Sequence, residues 1–132
     1  MFLIDSNVLI DAENTGAVAS AWSEAALDRL GLVGPLMIDA IVHAEVLARG
    51  AALARIDKLL SEFGIKLADL PFAAGAVAAR AYAEYRARGG SKLSLLPDFL
   101  IGAHAEVAGL TVVTRDPRPY RTYFPAVALV AP

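Results

Sequence analysis

The feature that most constrains this chain is a series of short apolar runs, each closed by a polar residue and separated from the next by a helix-length segment. Phe2–Ile4 runs into Asp5, Leu36–Ile38 into Asp39, and residues 110–113 into Thr114. Runs this short suit strands buried on both faces of a parallel sheet, whose crossovers are helices. Strands are therefore expected at residues 2–4, 36–38, 65–67, 110–113 and 127–130. A helical turn is expected at 7–11, and helices at 17–30, 39–49, 51–63, 72–88 and 94–108. Asp39 and Ser94 are the expected N-caps, Gly31, Gly50, Gly64, Gly89 and Gly109 the expected stops, and residues 117–125 a proline-rich turn. The alternation predicts one α/β domain over 1–132: a three-layer sandwich with a mostly parallel sheet of about four to five short strands flanked by helices. Sites on such sheets gather at the carboxyl ends of the strands, where strand order reverses.

Composition narrows the function. The chain is 57% hydrophobic and 20% charged, against averages of roughly 45–50% and about 25%, the reverse of a disordered chain. It contains no cysteine, which excludes disulfides, thiolate-ligated metal and a thiol nucleophile. No uncharged apolar stretch approaches the ~18 residues of a membrane span, and the start, MFLIDSNVLIDAEN, lacks the basic region of a secretion signal. A cytoplasmic protein is expected, with apolar surface left for a partner. Residues 1–69 hold 10 acids and 5 bases, residues 70–132 hold 4 acids and 7 bases. The second half is therefore either ordinarily solvated or a basic rim suited to phosphates.

The informative acids stand where helical patterning expects apolar side chains. Ile38, Ile41, Glu45 and Ala48 form one stripe, so Glu45 faces the core or its edge. Either it meets an arginine at that edge or it serves a cation, because buried acids require a partner. Asp98 shares a face with Ile101, Gly102 and Ala105, and is either an ordinary first-turn acid or part of a site. Asp5 and Asp116 follow predicted strands. Converging at one end of the sheet, Asp5, Glu45, Asp98 and Asp116 would repel one another unless a cation lay between them. Hard oxygen donors suit Mg²⁺ or Mn²⁺, and the fitting chemistry is phosphodiester hydrolysis. Asp11, Glu13 and Asp39 are read as turn or cap residues, His43 and His104 as structural or solvent-facing. Tyr82 and Tyr85 are read as a packing or dimer stripe more readily than as a base-stacking pair.

Four stretches in order, FLIDSNVLID at 2–11, AIVHAEVLARG at 40–50, LPDFLIGAHAEVAG at 96–109 and TVVTRDPRPYRTYFP at 111–125, resemble the PIN domains. They are especially similar to the toxin subunits of bacterial VapBC toxin–antitoxin pairs. The resemblance spans nearly the whole chain and implies a PIN-like parallel-sheet fold and metal-dependent endoribonuclease activity. Its acidic positions fall on Asp5, Glu45, Asp98 and, where similar proteins vary between acid and amide, Asp116. Asn7 and Thr114 match polar positions of its motifs. Asn7 would hold the Asp5 loop and Thr114 orient a water, or they are a turn residue and a strand-end hydroxyl. The resemblance further implies Mg²⁺ or Mn²⁺ as cofactor, RNA products with 5′-phosphate and 3′-hydroxyl ends, a homodimer, and a small antitoxin partner across the site. Arg115, Arg118 and Arg121 beside Asp116 are candidates for RNA phosphate contacts. Without the four acids the chain keeps 10 acids and 12 bases, a surround of +2. A non-catalytic RNA- or protein-binding module of the same fold is the alternative. A dehalogenase-like or receiver-type phosphoryl enzyme fits less well: Asn7 stands where the former needs an acid, and the late strands lack the latter's lysine.

Overall fold

A computed structural model describes residues 1–14, 16 and 18–132. Strand β1 (Phe2–Ile4) is followed by helices α1 (Ser6–Glu13) and α2 (Val18–Gly31). Strand β2 (Leu36–Ile38) leads to α3 (Ala40–Ala48) and α4 (Leu53–Glu62), and β3 (Lys66–Leu67) to α5 (Ala74–Ala87). A 3₁₀ turn (Leu93–Leu95) enters α6 (Leu96–Ala108), then come β4 (Thr111–Val113), α7 (Arg118–Tyr123) and β5 (Leu129–Val130). The expected helix start at Ala17 lies outside the described residues.

All strand pairs are parallel, in the order β3-β2-β1-β4-β5. Leu3 pairs with Met37 on one side and Val112 on the other, which makes β1 the central strand. Leu3, Ile4, Leu36, Ile38, Val112 and Val113 are all buried. Sheet growth runs outward from β1 to β3, then returns to β4 and continues to β5. Right-handed crossovers then set α1–α4 on one face and α5–α7 on the other. The packing agrees, since α1 contacts α2, α3 and α4, while α5 contacts α6 and α7. The reversal of direction lies between β1 and β4, the position at which a crevice opens beyond the strand ends. No helix among the described residues is long and apolar enough to cross a membrane.

Three expectations are corrected. Within the expected turn 117–125, residues Arg118–Tyr123 form a helix, α7, because Pro119 lies in its first turn, where a missing N–H leaves no hydrogen bond unmade. Ser94 does not cap α6; it lies in the 3₁₀ turn, and the N-cap position falls on Leu95 without a side-chain bond. The core stripe of α3 is Val42 and Val46, whereas Ile41 and Glu45 are half-buried and Ala48 is exposed. Glu45 thus sits at the border of the core.

Gly102 marks a close approach in the second layer. A Cβ there would lie 2.5 Å from the ring of Phe124, which is itself buried. The glycine lets α6 lie against the segment after α7.

Candidate active site

Asp5 ends β1 and at the same time caps α1. Its Oδ1 accepts the Ser6 amide at 2.7 Å, and its Oδ2 accepts the Thr114 hydroxyl at 2.7 Å and the Asn7 amide at 3.0 Å. Asn7 binds the two central strands together: its Nδ2 also donates to Thr114 Oγ1, and its Oδ1 accepts the Arg115 amide, at 3.1 and 3.0 Å. The Asp116 amide donates to Thr114 Oγ1 as well, at 3.1 Å. A threonine hydroxyl has one proton and two lone pairs, so Thr114 has nothing left for a water. Its expected role is corrected to fixing Asp5 and the loop that carries Asp116.

The electrostatics separate the acids. Burial pushes the Asp5 carboxyl up from its usual value, and hydrogen bonds from Thr114 and Ser6, together with the nearby Tyr120 hydroxyl, oppose that. Burial also raises Glu45, with the charge of Asp5 adding to it and the Ser6 hydroxyl and Arg49 opposing it. Asp98 is pushed from 3.8 to about 6, first by burial and then by the negative charges of Glu45, Asp5 and Asp116. Asp116 behaves oppositely. Arg118 grips it through Nε and Nη2 at 2.9 and 3.3 Å and lowers its pKa.

Two adjoining depressions collect these groups. One is lined by Asp5, Asn7, Asp98, Asp116, Pro119 and Tyr120, the other by Glu45, Ala48, Ser94 and Asp98, and both by Ser6 and Arg49. Glu45 Oε2 is buried without a hydrogen-bond partner. The buried Tyr120 hydroxyl faces Asp5 but completes no well-aligned hydrogen bond. Among the described residues no three His, Asp or Glu side chains stand close enough together to ligate one ion directly. A hard divalent cation commonly keeps several waters and takes only one or two carboxylates. The donor set, the orphaned Glu45 oxygen and the unrelieved repulsion at Asp98 therefore fit such an ion, partly water-bridged.

The other candidates separate from this centre. Asp11 accepts the Ser23 hydroxyl at 2.7 Å and pairs with the Arg115 guanidinium, so Arg115 is turned toward Asp11. Arg118 is committed to Asp116, and Arg121 is exposed in the last turn of α7. Glu13 pairs with Arg55 at 3.1 Å. Asp39 caps α3 and meets the buried His104 Nδ1 at 2.8 Å, a structural pair. Tyr82 and Tyr85 pack with Phe99, ring centroids 5.9 and 5.6 Å away.

Ser6, Arg49 and Tyr120 had not been singled out in the sequence. Arg49 stands four residues after Glu45, the spacing of helical neighbours. That signal was available for Arg49, whereas Tyr120 lies on α7, in a segment that read as a turn.

A three-layer sandwich with a parallel sheet and carboxylates gathered at its switch point defines the class to which this chain belongs. The PIN domain model matches residues 2–125, and the chain is a member of the PIN domain family. Solved structures of toxin–antitoxin complexes share the fold. VapBC2 from Rickettsia felis, bound to a DNA fragment from their promoter, matches with a TM-score of 0.75 at 18% identity, covering 98% of this chain and 97% of that one. FitAcB from Neisseria gonorrhoeae matches with 0.68 at 26% identity, covering 98% and 96%. VapBC-1 from nontypeable Haemophilus influenzae matches with 0.74 at 14% identity, covering 98% and 96%. No curated protein sequence matches the chain significantly.

Proposed function

We propose that this PIN domain is a Mg²⁺- or Mn²⁺-dependent endoribonuclease and the toxin of a toxin–antitoxin pair. The observation that carries the reading is the gathering of Asp5, Glu45, Asp98 and Asp116 around two adjoining depressions, with one Glu45 oxygen buried and unpartnered and the Asp98 pKa raised by burial and then by the other three charges. Carboxylates gathered in this way gain from a cation and serve no purpose in a neutral binding groove.

Asp5, Glu45 and Asp98 would hold the ion, with Asp116 at the exposed rim. When bound, a divalent ion supplies activation of water and stabilisation of the leaving oxygen in phosphodiester hydrolysis. The chain's own residues do the rest. The Ser6 amide, Asn7 and Thr114 fix both oxygens of Asp5 in the ionised, accepting form. The Tyr120 hydroxyl keeps the inner side of Asp5 polar where water is excluded. Arg49, on the lip of both depressions, offers a cation to a phosphodiester entering from solvent. Arg118 and Arg121 extend that lip along α7, and Arg115 reaches it only by releasing Asp11.

The solved complexes support an antitoxin partner for this chain too, with an antitoxin arginine as the natural competitor for the carboxylates. A homodimer and a cytoplasmic site of action belong to the same reading. The test is RNA cleavage with Mn²⁺, with EDTA, and with Asp98→Asn. Cleavage that needs Mn²⁺ and is lost in the variant is expected, with 5′-phosphate and 3′-hydroxyl ends. Equal cleavage by the variant, or cleavage indifferent to EDTA, overturns it.

A further inference from the structure

Beside the carboxylates, and sharing Asp98, Asp116 and Pro119 with them, lies a second cavity of about 280 Å³. Its apolar wall is Tyr85, Leu95, Phe99 and Tyr123, and its polar wall is Asp98, Asp116, Arg118 and Thr122. We infer that this cavity seats one nucleobase of the RNA, next to the phosphodiester presented to the carboxylates. The inference rests on the endoribonuclease reading and adds to it the feature of the substrate that the site grips.

The cavity is built rather than incidental. The rings of Tyr85, Phe99 and Tyr123 meet edge to face, with centroids 5.2 to 6.1 Å apart. The Lys92 amide donates to the Tyr85 hydroxyl at 3.1 Å and fixes that ring. Gly90 allows the placement, since a Cβ there would lie 2.3 Å from the Tyr85 ring. Arg88 lies 5.7 Å over the Tyr123 ring. These constraints preorganise the wall before a ligand arrives, which lowers the ordering cost of binding.

Size and charge favour a base. Ligand sites for drug-sized molecules run from about 300 to 1,000 Å³, and this one falls just below, the scale of one planar ring system with its sugar at the mouth. A base offers a π-face to the aromatic wall and N–H donors to Asp98 and Asp116. Because Asp98 and Asp116 line both cavities, a nucleotide whose base occupies one presents its phosphate to the other. Stacking on a protein aromatic is worth roughly a five-fold gain or more per base.

Binding to the metal-free protein tests this without any cleavage step. Uridine and adenosine 5′-monophosphate are titrated against ribose 5-phosphate and N-acetylphenylalaninamide by NMR, with Leu95→Trp as a cavity-filling variant whose fold is checked by circular dichroism. At least one nucleotide should bind five-fold or more tightly than ribose 5-phosphate, shift the Tyr85 and Tyr123 ring signals, and lose that advantage in Leu95→Trp. Should the variant unfold, Thr122→Trp, filling the cavity from α7, takes its place. Equal binding of ribose 5-phosphate and both nucleotides overturns the inference, as does nucleotide binding unchanged in the filled variant. Binding of N-acetylphenylalaninamide alone also overturns it and assigns the cavity to a peptide side chain. Base-dependent binding by a protein that cleaves no RNA would refute the nuclease reading and leave the nucleotide seat standing. Cleavage without base-dependent binding would do the reverse.

Discussion

Replacing Asp98 by Asn should stabilise the metal-free protein at neutral pH, although it should abolish cleavage. The Asp98 carboxyl titrates near 6 in the folded chain, against 3.8 ordinarily. At about 1.4 kcal/mol per pKa unit, a shift of this size corresponds to roughly 3 kcal/mol of penalty on the ionised folded form. The side chain is only half-buried, and solvent screening reduces that to about 1–2 kcal/mol. The sign follows from linkage: between pH 3.8 and about 6 the folded state binds more protons than the unfolded one, so stability falls as pH rises through that window. Above it the penalty is complete, and Asn removes it. For a domain of this size about 3–4 °C accompanies each kcal/mol, which gives a gain in Tm of roughly 3–8 °C. Thermal unfolding in EDTA at pH 7.5 should show that gain, and the same pair of proteins at pH 4 should differ little. A variant no more stable than the parent at pH 7.5, or a gain that persists undiminished in acid, would refute the electrostatic reasoning.

Mn²⁺ at ten times its Kd should stabilise the parent by about 1.4 kcal/mol, read as a Tm increase, and raise Asp98→Asn distinctly less. Thr114→Val removes the hydroxyl shared by Asp5, Asn7 and the Asp116 amide; urea unfolding should show a loss of about 1–3 kcal/mol, because buried polar groups lose a partner. Gly102→Ala forces a methyl against the buried Phe124 ring and should cost about 1–3 kcal/mol in the same assay. Asp39→Ala deletes the cap of α3 and strands buried His104; a loss of about 2–4 kcal/mol is expected from the two effects together.

The central strands were legible because their signal is local. Phe2–Ile4 and Leu36–Ile38 are apolar, short and closed by an acid that caps the next helix, and both are strands as read. The order in which they pair was not legible, since pairing is decided by which helices cover which face. Segment 117–125 was misread because proline signals a turn on average, yet in a first helical turn it costs nothing. Asp5, Glu45 and Asp98 were singled out by position on predicted elements, and the structure gathers them with Asp116 around adjoining depressions. What no local pattern reveals is partnership across the fold. Arg115 belongs to Asp11, more than a hundred residues away in sequence, and Thr114 spends its whole hydrogen-bonding capacity on groups at both ends of the chain. The same holds for the nucleobase cavity, whose walls come mainly from α5, α6 and α7 and whose Tyr85 read as part of a packing or dimer stripe.

The most direct test of the account is transcriptome-wide sequencing of RNA 5′ ends after induced expression of the protein and of Asp98→Asn at matched levels. New 5′-phosphate ends should accumulate at a restricted set of sites with the parent and be absent with the variant. Indistinguishable end profiles from the two proteins would contradict the claim that these carboxylates form a ribonuclease centre.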